Sequence, residues 1–213
     1  MTTVHLLAPV EQLRRALGDE RRRALDDMVA VLAAGATTLA RVFPAAARRT
    51  GRGDLFVDGP RLEDAVRVEL VATAAARLDP GTLLAELEDL YRHGDADEKR
   101  AVLLALGGID DPLVDGSALL LDALRTNDVR LVAAAMGPHA RRLSAHDWRH
   151  GVLKCLFVGV PVAGVADLAA RADDELAAMV RRYTDEREAA GREVPPDAFL
   201  VRDLTTPTTR PEG

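Results

Sequence analysis

Aromatic side chains are scarce: one Trp, two Tyr and four Phe in 213 residues, or 3%. Burial therefore falls to Ala, Leu and Val, small or flexible residues that lead the helix-propensity scale and let helices approach closely. Cysteine occurs once, at Cys155, which excludes an intrachain disulfide and suits a reducing compartment. Uncharged runs of membrane length are missing too. The most apolar stretch, 151–166, is interrupted by Lys154 and Pro161. The opening residues MTTVHLLAPVEQLRR carry no basic leader before their short apolar run, so no secretory signal and a cytoplasmic location are expected. Nor is there an excess of positive charge. A net charge of −6 removes the global attraction on which non-specific nucleic-acid binding rests, and no nucleic-acid partner is expected. The Arg-rich segments 14–23 and 141–149 read as solvated helix faces.

What is present is 48% hydrophobic and 29% charged, enough for a globular core. Residues 8–34 have helical periodicity, with Leu13, Leu17, Ala24, Met28 and Leu32 near one face and Asp19 expected to cap a second helix after Gly18. Another helical stretch starts at Thr37 and meets Pro44. The segment TGRGDLFVDGP, 50–60, is rich in turn-forming Gly and Asp and reads as a loop or junction. A stripe of Leu62, Ala65, Val66, Leu70 and Ala74 defines the next helix.

Asp79-Pro80-Gly81 then opens a helix whose inward face is Leu84, Leu87, Leu90 and Tyr91, running to about His93 and ended by Gly94 as the residue after its cap. Asp95 and Glu98 have the spacing of a capping box for its partner. The same layout recurs downstream, LEDLYRHGDADEKRAVLLAL against LLLDALRTNDVRLVAAAM, with Arg92 and Arg125 33 positions apart. A recurring helix pair of that length is the mark of a helical solenoid. Ser144 caps a strongly hydrophobic helix to Val158, and a final amphipathic helix runs to Gly191. Beyond Pro195-Pro196 the residues suited to docking are Phe199, Leu200 and Leu204.

The expected fold is therefore all-α: stacked helix–turn–helix, HEAT-like units in a right-handed superhelix, or else an irregular helical bundle. Its parts would be N-terminal helices over 1–50 packing on the main body, a loop at 51–60, a repeat region over 61–200 and a disordered tail at 201–213.

Chemistry is thinly signalled. His146 and His150 share a helical face at a spacing zinc can use, but Asp147, Trp148 and Arg149 between them are not a His-Glu-x-x-His motif, and no metal or other cofactor is expected. Cys155 reads as a buried thiol. The acidic turns 94–98 and 173–175 fall where helices begin, where the helix dipole favours carboxylates. No nucleophile elbow or phosphate loop is present, so no residue is assigned as catalytic. Lys154 is the oddity, a lone charge amid HGVLKCLFVGV. It reads as snorkelling to the surface, pairing with a carboxylate of an adjacent helix, or lining a pocket.

The block Trp148-Arg149-His150-Gly151-Val152-Leu153-Lys154-Cys155-Leu156-Phe157 carries a family resemblance, together with Arg171-Ala172-Asp173-Asp174-Glu175-Leu176-Ala177 and Asp185-Glu186-Arg187 before Gly191-Arg192. These resemble the Trp-Asn-Gln-x-Val-Leu-Lys-x-Leu-Phe, Arg-Ala-Asn-Pro-Glu-Leu-Ala and His-Glu-Arg-x-Ala-Ala-Gly-Arg blocks of the EboA family, in order and spacing, over 84–200. Departures fall at Arg149-His150 and at Asp185. The resemblance implies a non-catalytic accessory protein of a specialised-metabolite biosynthesis or export cluster. Its implied partners are cluster-encoded enzymes or a hydrophobic, prenylated metabolite. Contact residues on this reading would be Lys154, His150, Trp148, Arg171, Glu186, Arg187 and Arg192. The alternative is an enzyme acting on a polyprenyl or cyclitol-like intermediate in a pocket around Lys154.

Overall fold

The computed structural model describes residues 2–205, and every regular element among them is a helix. Extended pairing among the described residues is confined to two isolated bridges, Val4 with Ile109 and Asp54 with Arg61. The all-α fold class thus holds. The chain divides into two compact units at Asp122/Ala123, so the loop expected at 51–60 lies inside the first unit.

In the first unit α1 (Val10–Ala16) and α2 (Asp19–Ala33) are separated by Leu17 and Gly18. Gly18, in extended conformation, is the cap residue in place of Asp19, which is the first helical residue. Asp19 there accepts a 2.8 Å bond from Arg22, and its charge faces the positive end of the helix. Pro44 falls between the short helices α3 (Leu39–Val42) and α4 (Ala46–Thr50). The following loop is tied down. Leu55 N–H donates to the Pro60 carbonyl at 2.9 Å, Leu62 N–H to that of Gly53 at 2.7 Å, and the Glu63 carboxylate accepts from Gly53 N–H at 3.0 Å.

Three longer helices follow, α5 (Leu62–Ala75), α6 (Pro80–His93) and α7 (Ala96–Gly107). Asp79 caps α6 by accepting from Thr82 N–H at 3.0 Å. Its buried face uses Leu83 rather than the expected Leu84, with Leu87, Leu90 and Tyr91. Gly94 follows the end of the helix as expected, in extended conformation at φ −76°. Its glycine is required by crowding, since a Cβ would sit 2.6 Å from the Leu90 carbonyl oxygen. The capping box at Asp95 and Glu98 is complete, at 2.8 and 3.0 Å.

The centre of this unit is α5, against which α1, α2, α4, α6 and α7 all pack. Its expected stripe is buried, but so are Val68, Val71 and Ala75 on its other faces. Four charged side chains go inside with them: Glu63, Asp64, Arg67 and Glu69. Each meets a partner. Arg100 of α7 grips Asp64 through two bonds of 2.8 and 3.1 Å, and Arg14 of α1 forks onto Glu69 at 2.7 and 2.6 Å. Arg61 reaches Glu63 at 3.2 Å. Arg67, 1% exposed, donates to the Phe43 carbonyl at 3.3 Å, lies 3.5 Å from Glu98 and stacks over the Phe43 ring at 5.4 Å. One of its N–H-bearing nitrogens, Nη1, has no hydrogen-bond partner. Burial holds the Arg67 guanidinium below its ordinary pKa, against the pull of Glu98 and Asp95.

Helix α8 (Ser117–Leu124) carries the chain across the division. In the second unit α9 (Val129–Ala135) is capped by Asp128 and α10 (Ala145–Val158) by Ser144, whose hydroxyl accepts from Asp147 N–H at 3.1 Å. A 3-10 turn at Pro138–Arg142 precedes α10 and another at Val162–Gly164 follows it. Then come α11 (Leu168–Arg171), α12 (Asp174–Ala189) and α13 (Pro196–Thr205). Gly159 and Gly191 end α10 and α12 at φ +80° and +65°, where glycine costs no strain. The phase of α13 differs from expectation: Ala198 and Val201 are buried, whereas Phe199, Leu200 and Leu204 stand partly in solvent. Residues 201–205, expected in a disordered tail, are the end of this helix, and 206–213 lie outside the described residues.

The buried charges of α5 differ in what their loss does. Asp64→Ala removes two of the bonds to the buried Arg100 guanidinium, which keeps Asp97 at 2.9 Å, and is expected to cost about 2–3 kcal/mol in urea unfolding. Arg67→Met fills similar volume while removing an unsatisfied N–H, and is expected to cost less than about 1.5 kcal/mol in the same measurement.

Candidate functional site

Seven residues carry the functional expectation from sequence, and all lie in the second unit. Trp148 sits on the inner face of α10, buried, with its indole N–H donating to the Ala166 carbonyl at 3.2 Å. Arg171, at the end of α11, covers that ring at 4.7 Å and donates to the carbonyls of Ala140 at 3.0 Å and Leu143 at 2.9 Å. Those carbonyls belong to the 3-10 turn before α10 and its end, where that of Ala140 also accepts from Leu143 N–H at 3.1 Å. Burial draws the Arg171 pKa down, partly offset by Asp167. Trp148 and Arg171 are therefore one structural unit, an indole and a guanidinium that clamp irregular backbone on both sides of α10.

Lys154 is half-buried and its ammonium donates to the Asn127 side chain at 2.7 Å, 5.7 Å from the centre of the exposed Phe157 ring. The partner is an amide in the turn between α8 and α9 rather than the carboxylate of an adjacent helix. His150 is exposed and bonds through Nδ1 to the His146 carbonyl at 3.0 Å, the two imidazoles stacking at 4.3 Å. Among the described residues no group of three His, Cys, Asp or Glu is placed to hold a metal ion. Arg187 donates to the Glu193 carbonyl at 2.6 Å and lies 5.7 Å over the Tyr183 ring. Glu186 and Arg192 are exposed near the end of α12. The structure thus joins Trp148 to Arg171, and it forms no hydrogen bond or ion pair among Lys154, His150 and Glu186.

Cys155 lies on the buried face of α10, fully enclosed. Burial, reinforced by the negative charge of Asp197, pushes its thiol up to about 12. At neutral pH it is a thiol, not a thiolate, and so a poor nucleophile.

Concavities of useful size occur in the first unit, which the functional reading of the sequence passed over. One, about 250 Å³, lies between α6, α7 and α8 and is lined by Tyr91, Lys99, Asp122 and Glu88. There the Tyr91 hydroxyl donates to Asp122 at 3.1 Å while the Lys99 ammonium sits 5.0 Å over the Tyr91 ring. Burial and the Asp122 charge both raise the Tyr91 pKa, so the phenol stays protonated. A second cavity, about 190 Å³, opens between α2, α3, α5 and α6, with Leu32, Ala74 and Leu78 as apolar wall and Thr38, Arg77 and Glu86 as polar groups. Glu86 Oε2 is shielded from solvent and has no hydrogen-bond partner. Burial raises the Glu86 pKa, the Leu39 backbone N–H at the start of α3 opposing it. One signal for Glu86 was present in the sequence: it falls between Leu83 and Leu90 at helical spacing, inside the apolar stripe of α6.

The molecule is thus an all-helical protein whose most chemically able side chains are engaged in packing or shielded from solvent. The chain belongs to the EboA family, whose model, described as metabolite traffic protein EboA, matches residues 46–202. The match begins in α4, well before residue 84, where the sequence motifs first show the resemblance. No curated protein and no solved structure matches the chain. No helix among the described residues is long and apolar enough to cross a membrane.

Two measurements separate structural from chemical roles here. Arg171→Ala leaves the Leu143 carbonyl without its donor, uncovers the Trp148 ring and is expected to lower unfolding stability by about 1–3 kcal/mol, whereas Lys154→Ala at the surface is expected to cost under about 1 kcal/mol. Cys155 is expected to resist a disulfide reagent at pH 8 while the chain is folded and to react fully in denaturant. Rapid reaction in the folded state would show an accessible thiolate.

Proposed function

We propose that the chain is a non-catalytic accessory protein of a specialised-metabolite pathway, one that holds a partner enzyme or an amphipathic metabolite. The observation that carries this reading is the state of the side chains best able to do chemistry: Cys155 is enclosed and protonated, Lys154 is bonded to Asn127, and Arg171 is bonded to backbone carbonyls. An active site needs such groups free and mutually placed, a nucleophile or base within reach of the atom it attacks. Membership of a family of metabolite traffic proteins supports the same conclusion.

The recurrence of Arg92 and Arg125 at 33 positions supports a HEAT-like reading of residues 80–136. The seven signature residues would then act by shaping the second unit, with Lys154, Phe157 and His150 presenting its polar and apolar surface. The net charge of −6 favours a protein or small-molecule partner over nucleic acid, and a single cysteine suits a cytoplasmic location.

Affinity capture of the full chain against the enzymes encoded beside it is expected to yield a stoichiometric partner, and deletion of the gene to lower pathway output. Lys154→Ala is expected to leave output within about threefold of wild type. A fall of 10²–10⁴-fold, about what removal of an acid–base group brings, would identify an enzyme instead.

A further inference from the structure

His146 and His150 stand on one exposed face at the start of α10, four positions apart, with ring centres separated by 4.3 Å and planes tilted by 40°. The hydrogen bond to the second ring decides where its lone pair is. A carbonyl oxygen only accepts, so His150 Nδ1, 3.0 Å from the His146 carbonyl, carries the proton and Nε2 bears the lone pair. One ring nitrogen tied to a backbone carbonyl with the other left as a donor is how imidazoles are held when they bind metals. Among the described residues neither ring nitrogen of His146, nor Nε2 of His150, has a hydrogen-bond partner.

The positive charges nearest the pair are already countered. Arg149, between the two histidines, is turned to Asp173, to whose oxygens its Nε donates at 2.9 and 3.2 Å. The positive end of α10 is offset by Asp147 in its first turn. From sequence no metal is expected, because the intervening residues are not those of a zinc protease; that motif specifies a catalytic zinc and leaves a site of two nitrogens open. The spacing of the rings selects the ion. Imidazoles bound through Nε2 at ~2.0 Å have their centres ~3.2 Å from the metal, hence ~4.5 Å apart at a right angle and ~5.2 Å apart at a tetrahedral one. The observed 4.3 Å matches the right angle. Right-angled neighbours belong to square-planar and octahedral shells, and nitrogen donors in a tetragonal shell favour copper(II), then nickel(II), over zinc.

We propose that His146 and His150 form a binding site for copper(II), their two imidazole nitrogens filling adjacent positions of its shell and water the rest. The site goes beyond the holding of a partner or metabolite and does not rest on it.

The test is a titration of the untagged full-length chain with copper(II), nickel(II) and zinc(II) chlorides, read by calorimetry and, for copper, by electron paramagnetic resonance. One copper(II) per chain is expected, with hyperfine structure from two equatorial imidazole nitrogens and an affinity at least about tenfold above that for zinc(II). His146→Ala, whose side chain holds no hydrogen bond, and His150→Ala are each expected to keep the helical circular dichroism and to weaken copper binding by at least about tenfold. His5→Ala and His93→Ala, far from α10 in sequence, are expected to leave it unchanged. Absence of stoichiometric copper binding, full affinity in both α10 variants, a spectrum with fewer than two imidazoles, or zinc bound as tightly as copper would each overturn the site.

Discussion

The first unit depends on a helix that has no outside. Because α5 is covered on every face, a sequence that must still contain charges has to place Glu63, Asp64, Arg67 and Glu69 in the interior. A buried charge is tolerable only with a close counter-charge and satisfied hydrogen bonds. The surrounding elements are therefore constrained to deliver one each: Arg14 from α1, Arg61 from the loop, Arg100 and Glu98 from α7. The bidentate forks of Arg14 and Arg100 fix distance and orientation together. A shift of α7 along α5 by one residue would part Arg100 from Asp64 and uncover both. These pairs add little net stability over apolar packing, and what they contribute is register.

The second unit solves a different problem with similar side chains. Its backbone leaves the helix repeatedly, at 138–142, 159–167 and 191–195, and each departure exposes carbonyls and N–H groups that must be satisfied. Arg171 takes the carbonyls of Ala140 and Leu143, Trp148 that of Ala166, Tyr183 that of Leu156, and Arg187 that of Glu193. Asp197 accepts from the Val162 N–H at 2.8 Å. The blocks through which the chain resembles its family thus include the side chains that hold non-helical backbone in place. They read first as marks of a fold.

What was legible in the sequence was local. The caps at Asp79, Asp95 with Glu98, Asp128, Ser144 and Asp173 act across two to four residues, a range that composition and spacing expose directly. The all-round burial of α5 was hidden because its partners lie 36 and 55 positions away, and periodicity compares a residue only with its neighbours in sequence. For the same reason Arg14, one of an Arg-rich run read as a solvated face, turned out to be anchored on Glu69. In α13 large apolar residues suggested one face, yet Ala198 and Val201 face inward, since small residues allow the close approach to α12 that the three larger ones would block.

Lys154 and Glu86 show how one pattern can mean two things. Each is a charge within an apolar helical stripe, and from spacing alone the lysine in HGVLKCLFVGV stands out more than the glutamate in LLAELEDLY. The difference lies in reach. A lysine carries four methylenes and can lay its stem on apolar surface while the ammonium finds a polar neighbour, as Lys154 does at Asn127. A glutamate has two, too few to leave a face once a neighbouring helix covers it. Glu86 therefore keeps its carboxyl where α3 and α6 meet, with one oxygen shielded. The long side chain escapes the conflict that made it conspicuous, and the short one retains it.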